Sequence, residues 1–381
     1  MSGRIYLDYN ATTPIAPEVA AAMQPYLAEA YGNPSSLHWA GLPARDAVER
    51  ARSQVAALLA CDATEIVFTS GGTEANNQAI KGVFFSTRSR ANSRPHVITT
   101  QVEHPAVLEP CRFLEKLGAD VTRLPVDRFG MVDPDDVQRA IRSDTILVSV
   151  MHANNEVGTI QPIEEIARIA REHDVLCHTD AAQSVGKLAV DVQALGVDLL
   201  SVAGHKLYGP KGVGALFVRE GLELESLLNG AGHEAGRRAG TENVLEIVGL
   251  GAACELARQW IDCLEVLRLR DQLWRELQQR FGDSVVLNGH PERRLPNTLN
   301  VSFIGQVGGE LLARMPHVAA STGSACHAGS TSISPVLAAM GVSHECGMGS
   351  LRFSLGRTTT LDEIDAVLEN LPLPLISNDE R

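Results

Sequence analysis

Lys206 lies in the stretch SVAGHKLYGPKG, directly after the apolar run VDLLSVA and just before a glycine and proline turn. That pattern predicts a lysine held at the end of a buried strand. Desolvation there lowers the pKa of an amine and fits it to attack a carbonyl and form a Schiff base. A lone lysine in such a setting is ordinarily a surface loop residue, but its neighbours argue otherwise. In DVLCHTDAAQSVG, Asp180 closes a second apolar run. A carboxylate at that point can pair with a protonated pyridine nitrogen, the usual partner of a lysine that carries pyridoxal phosphate. In TEIVFTSGGTEANNQAIKGVFF a strand, a glycine turn and a helix follow one another. Gly71 and Gly72 let the backbone approach a ligand closely, and the amides near Thr73 present donors and a positive dipole end to a phosphate, although such a turn is also a common tight connection. Cys326, in STGSACHAG, is flanked by small residues that build no core and allow a mobile loop, whereas Cys177 sits inside an apolar run and reads as packing.

The elements that must position these groups alternate along the chain. Apolar strand patterns and helical patterns succeed one another from about residue 66 to 218, which predicts an α/β fold with a mostly parallel sheet and crossover helices. Ligands then collect at the carboxyl ends of the strands. Thr73, His104, Asn155, Asp180, Gln183 and Lys206 all fall at predicted strand ends or just after them, as one site. Elsewhere the patterning predicts an amphipathic helix ended by Gly32, a helix over about 133–142, a long helix over about 244–280 and an exposed polar loop over 86–95. The 381 residues are expected to divide into a large domain, 15–260, and a small α+β domain made of 1–14 and 261–381 that carries the Cys326 loop.

HTDAAQSVGK, GHKLYGPKG and STGSACHAG together resemble the cysteine desulfurases, fold-type I pyridoxal-phosphate enzymes whose close relatives include the selenocysteine lyases. The likeness runs from LDYNATTP to LRFSLGRTTT. It implies a pyridoxal 5'-phosphate cofactor bound by Gly72, Thr73, His104, Asn155, Asp180, Gln183, His205 and Lys206, with Thr241 touching the phosphate in the partner subunit's site and Arg238 nearby. It further implies that His104 stacks on the cofactor ring and moves protons, that Asn155 donates to the phenolic oxygen, and that Asn33, Asn155 and Arg352 bind the substrate, His38 lying in the same loop as Asn33. Read from the residues alone, His104 caps or packs a helix, Asn154 or Asn155 makes a turn, and GAGHEAGRRAGTENV is a solvated basic loop. A planar guanidinium fork suits Arg352 to a carboxylate. The implied reaction converts L-cysteine to L-alanine with transfer of sulfur to Cys326 as a persulfide, in a homodimer that passes the sulfur to an acceptor or scaffold protein. The alternatives are selenium release from L-selenocysteine and, more distantly, kynureninase-like or aminotransferase chemistry. One position departs from the pattern: Ala203 stands where many desulfurases have a serine that binds the phosphate.

Composition sets the bounds on these readings. A net charge of -13, from 33 basic and 46 acidic residues, disfavours nucleic acid or an anionic membrane as a partner. The seven cysteines form no C-x-x-C pair and no metal-ligand spacing, and their odd number speaks against a disulfide framework. With no leader-like start and no apolar run long enough to span a bilayer, a cytoplasmic protein is expected. The tail LPLPLISNDER is short for docking a scaffold protein.

Overall fold

Seven runs rich in β-branched and aliphatic residues form the central sheet. They are β1 (Ile66–Thr69), β2 (His96–Thr100), β3 (Asp120–Leu124), β4 (Thr145–Ser149), β5 (Leu176–Asp180), β6 (Leu199–Ala203) and β7 (Gly214–Val218). The computed structural model describes residues 3–88, 94–261, 264–322, 324–327 and 330–371. In the sheet the strands run in the order β1, β7, β6, β5, β4, β2, β3. All neighbouring pairs are parallel except the two made by β7, which is antiparallel to both β6 and β1. The expected mostly parallel sheet is therefore present, and the carboxyl ends of β1, β2, β4, β5 and β6 share one edge.

Both faces of this sheet are covered, which is why its strands read as near-continuous apolar runs. On one face the helix Gly72–Arg88 buries Ala79, Ile80, Val83 and Phe84. On the other, the helices Gly41–Leu59 and Ile163–Glu172 pack Val48, Val55, Leu59, Ile163 and Ile166. Each fully buried aliphatic or aromatic side chain of this kind contributes roughly 1.5–3 kcal/mol. The helix that follows the glycine turn is thus clamped to the sheet along its length, and its first amides keep a fixed aim.

A second apolar cluster gathers Ile5, Leu7, Leu273, Leu299, Val301, Leu351, Phe353 and Ile364. It lies between a four-stranded antiparallel sheet, in the order Ser321–Thr322, Ser350–Ser354, Thr298–Phe303, Val285–Asn288, and the helices Leu264–Phe281 and Leu361–Asn370. The N-terminal segment joins this second body: Ile5–Tyr6 pairs in parallel with Val318–Ala319.

Three local expectations are corrected. The helix foreseen up to Gly32 stops at Met23 and passes into a single tight turn, Gln24–Tyr26, because Pro25 has no amide to continue the ladder. The long helix expected over 244–280 is two helices, Val244–Ala257 and Leu264–Phe281. At the break, Arg357 lies 5.4 Å over the ring of Trp260. The backbone at Cys326 is not an irregular loop: Ser324–His327 pairs antiparallel with Ser330–Ile333, Cys326 opposite Thr331. The Cys326 side chain itself lies outside the described residues, as do much of the polar stretch 86–95 and the tail from 372 onward.

Candidate active site

At the shared edge of the sheet a cavity of about 420 Å³ is lined by Gly72, Thr73, His104, Asn155, Asp180, Gln183, Ala203, His205, Lys206 and Arg352. Residues scattered over 280 positions of sequence converge there because each follows a strand end, and Arg352 enters from the second sheet.

Lys206 ends a single helical turn, Gly204–Lys206, that follows β6. Its Nζ donates to the backbone oxygen of Ala11 at 2.8 Å and to that of Asn10. Burial and the nearby Arg352 push its pKa down to about 8, against the opposing pull of Asp8 and Asp180. The amine is therefore far more often neutral near physiological pH than an exposed lysine. Asp180 closes β5, in register with Ser201 of β6. Its Oδ2 accepts from Asn76 Nδ2 at 2.7 Å and its Oδ1 from the Ala182 amide at 2.9 Å, so the carboxylate is fixed with its edge to the cavity.

The turn before the helix Gly72–Arg88 has Gly71 at φ 145°, open to glycine alone. A Cβ on Gly72 would stand 3.2 Å from the Ala203 Cβ, so the Ala203 methyl sits against the helix start, where the first amides lack intrahelical acceptors. A hydroxyl at this point adds a donor to an anion held there. Ala203→Ser is thus expected to slow loss of a bound phosphate group by up to about tenfold, the worth of one hydrogen bond. Equal cofactor dissociation rates in the two proteins would show that the existing donors suffice.

His104 caps the helix Pro105–Lys116, its Nδ1 accepting from the Ala106 amide at 3.0 Å. The neutral ring therefore carries its proton on Nε2. Desolvation holds its pKa below the ordinary imidazole value, opposed by Asp180 and aided by Lys206. Both residue-level readings of this histidine hold at once: it caps a helix and it faces the cavity. His205 bonds to Thr12 through Nδ1 at 3.1 Å, and burial with three neighbouring lysines pushes its pKa down to about 4.

Of the two adjacent asparagines, Asn154 makes the turn. Its Oδ1 accepts from the amides of Glu156 and Val157, and its Nδ2 donates to Val102. Asn155 is left lining the cavity. Arg352 donates to Asp8 at 2.7 Å, to Ser321 at 2.8 Å and to the Asn155 carbonyl at 2.8 Å, while its buried Nε has no partner among the described residues. The side chain is pinned with donor capacity unused.

Other expected residues lie elsewhere. Asn33 and His38 are exposed, and the Asn33 side chain accepts from the Ser35 amide. Thr241 lines a separate hollow with Arg238, Glu234 and Ser70. The loop that carries it is anchored rather than merely solvated: Glu234 is buried against Arg52 at 2.8 Å and 2.9 Å, and Arg238 pairs with Glu74 at 2.9 Å. The sequence reading missed Asn76, Asn10 and Lys187. Asn76 follows Gly72 by one helical turn and so shares its face, a periodicity that was available. Asn10 and Lys187 stood inside quoted motifs without a role.

The cavity suits pyridoxal phosphate. It offers an amine of lowered pKa, a fixed carboxylate for a ring nitrogen, and a helix start with open amides beside a glycine that admits close approach. Asn76 also keeps a buried Oδ1 without a partner beside Asp180.

Comparison with known proteins agrees. The family model Aminotransferase class-V matches residues 5–367. A cysteine desulfurase IscS of Dictyoglomus turgidum is 51% identical over 375 residues, covering 97% of this chain and 94% of the relative. The human cysteine desulfurase is 47% identical, covering 96% of this chain and 80% of the relative. Among solved structures, a NifS-like protein superposes with a TM-score of 0.89 at 37% identity, covering 96% of this chain and 97% of that one. A structure described as SspA in complex with cysteine gives 0.83 at 39%, covering 92% and 98%.

Proposed function

This chain belongs to the cysteine desulfurases of the Aminotransferase class-V family, pyridoxal-phosphate enzymes that remove sulfur from L-cysteine, and on that premise we propose how its residues divide the work. The observation that carries the assignment is the meeting of Lys206, Asp180, the Gly72 helix start and Arg352 on the walls of one cavity.

In this reading Lys206 Nζ holds the cofactor and Asp180 pairs with its ring nitrogen. The amides of Gly72 and Thr73, with His205, receive the phosphate. Asn155 and Gln183 serve the phenolic oxygen, and His104 covers the ring. When bound, pyridoxal phosphate supplies an electron sink for the carbanion formed at the substrate's α-carbon. Arg352 and Asn155 hold the substrate, the arginine by its carboxylate. Freed Lys206 Nζ takes the α-proton, a task suited to an amine with a pKa near the working pH. His104 Nε2 carries a proton toward the leaving side. The Cys326 thiolate attacks the substrate sulfur: the new S–S bond forms as the C–S bond breaks, and the carbon keeps the electron pair and gains a proton. Alanine leaves, and Cys326 retains a persulfide.

We further propose a homodimer, in which Thr241 of one subunit reaches the phosphate of the other with Arg238 nearby, and Asn33 and His38 approach the substrate from a segment rich in exposed apolar residues. Leu27, Tyr31, Leu37 and Trp39 are each at least 64% exposed on that segment, a patch that asks for a partner. The persulfide passes to an acceptor protein in the cytoplasm. Among the described residues no helix is long and apolar enough to cross a membrane. The two apolar clusters are consistent with domains of 15–260 and 1–14 with 261–381.

The direct test measures L-alanine formation by the purified protein from L-cysteine and from L-selenocysteine. Turnover on cysteine at a rate comparable to or above that on selenocysteine is expected. Activity confined to selenocysteine would overturn this proposal in favour of a lyase, to which Ala203 is also suited.

A further inference from the structure

Lys187 is a half-buried lysine to which the reaction above gives no part, and among the described residues it has no carboxylate partner. Its Nζ donates to Gln183 Oε1 at 2.8 Å and to Asn10 Oδ1 at 3.2 Å. Gln183 in turn donates from Nε2 to the Asn10 backbone oxygen at 3.0 Å, the same oxygen that receives Lys206. An amide nitrogen has two hydrogens. One is spent on Asn10, and Gln183 also lines the cavity, so the second is available to it. We propose that Lys187 is a positioning residue that fixes the Gln183 amide with its N–H end, not its oxygen, toward the cavity.

The alternative orientation fails twice. It sets Gln183 Oε1 against the Asn10 carbonyl, oxygen to oxygen, and it takes the Oε1 acceptor away from Lys187, leaving one of that amine's N–H groups without its partner. Asn10 is itself held from all sides. Its amide donates to Ser354 at 2.9 Å, its Nδ2 to Thr298 at 2.8 Å, and its Oδ1 accepts from Asn297 at 3.1 Å. It cannot turn to accommodate a flipped neighbour. Burial, Lys206 and Arg352 all hold Lys187 well below its ordinary pKa, which favours a neutral amine with two N–H groups for these two acceptors. The inference rests on the reading that Gln183 serves the cofactor's phenolic oxygen.

That dependence shapes the test. An N–H given to the phenolic oxygen stabilises its negative charge and competes for it with the proton on the adjoining Lys206 nitrogen. Loss of the donor therefore strengthens the hold on that proton and raises the pH midpoint of the visible absorbance of cofactor-loaded enzyme. Of the charged and titratable groups facing Lys206, Arg352, Asp8, Asp180, His104 and His205 are unchanged by the variants, and Lys187→Gln removes the amine while keeping a donor. Gln183→Leu is expected to raise the midpoint by about half to one pH unit, the size of one hydrogen bond. Lys187→Met should raise it in the same direction, lower kcat and leave KM for L-cysteine within about twofold, since no substrate contact is touched. In the double variant the shift should equal that of Gln183→Leu alone, because both act through one amide. Lys187→Gln, which keeps a donor, should restore the native midpoint, and Lys187→Leu serves if the Met variant does not fold. A native midpoint in Lys187→Met beside a shifted one in Gln183→Leu, or additive shifts in the double variant, overturns the proposal while sparing the cofactor assignment. No shift in Gln183→Leu overturns both.

Discussion

Lys206→Ala abolishes both the covalent attachment of pyridoxal phosphate and all measurable turnover. The expected loss is at least about 10⁴-fold, since one side chain serves as the anchor of the cofactor and as the base for the α-proton. The fold should survive: the side chain is only part-buried, and its hydrogen bonds are to the Asn10 and Ala11 backbone. Asp180 and the Gly72 helix start remain, so the variant should still bind the cofactor reversibly, which dialysis followed by absorbance will reveal. The wild type carries a matching pH signature. With Lys206 at about pKa 8, the neutral amine becomes dominant as pH rises through that value, so attachment of pyridoxal phosphate to the apoprotein should quicken through about pH 8 and then level off. Cofactor that stays covalently bound in Lys206→Ala would assign the attachment to another amine.

Cys326→Ser separates the second reactive group from the first. The yellow cofactor should remain bound and still respond to added cysteine, while sulfur transfer and steady alanine production from L-cysteine stop, because a hydroxyl is not ionised to any useful extent at neutral pH. The remaining described cysteines are poor substitutes. Burial pushes the thiols of Cys61 and Cys111 up to about 12 and raises those of Cys177 and Cys254 further, and no described cysteine side chain lines the cavity. Part of a selenocysteine activity survives if selenium departs without attack by the thiol. Native alanine production from L-cysteine together with a protein-bound persulfide in Cys326→Ser would exclude Cys326 as the acceptor.

How much of this was legible in the sequence follows from which forces act locally. The central sheet was readable because a strand buried on both faces must be apolar along its whole length, and the site was readable because its groups sit where such runs end. The Asn154 and Asn155 ambiguity could not be resolved from composition, since either side chain can bond its own turn; it is settled by where the preceding strand β4 delivers the backbone. The lowered pKa of His104 was hidden for the same reason, being a property of the cavity wall. The break between Ala257 and Leu264 was not legible because the six residues between them include no proline or glycine to mark it. Asn10 went unassigned because its importance is entirely one of position: six side chains bond to it or its backbone, and they come from segments far apart in the chain.

That same crossing point sets a clock on biosynthesis. Asn10 leaves the ribosome well ahead of the Ser354 hydroxyl that receives its amide, which is 344 residues behind it. At about 5–20 residues per second, this segment waits roughly twenty to seventy seconds for its partner. The seven-stranded sheet is complete at Val218, and the helices on its faces can pack well before synthesis ends. Leu7, Tyr9 and Asn10, which bond to the Ser354 strand, and with them the carbonyl that steadies Lys206, cannot take their places until that last strand arrives. The nascent chain therefore owns its scaffold early and its reactive centre only once the Ser354 strand has emerged.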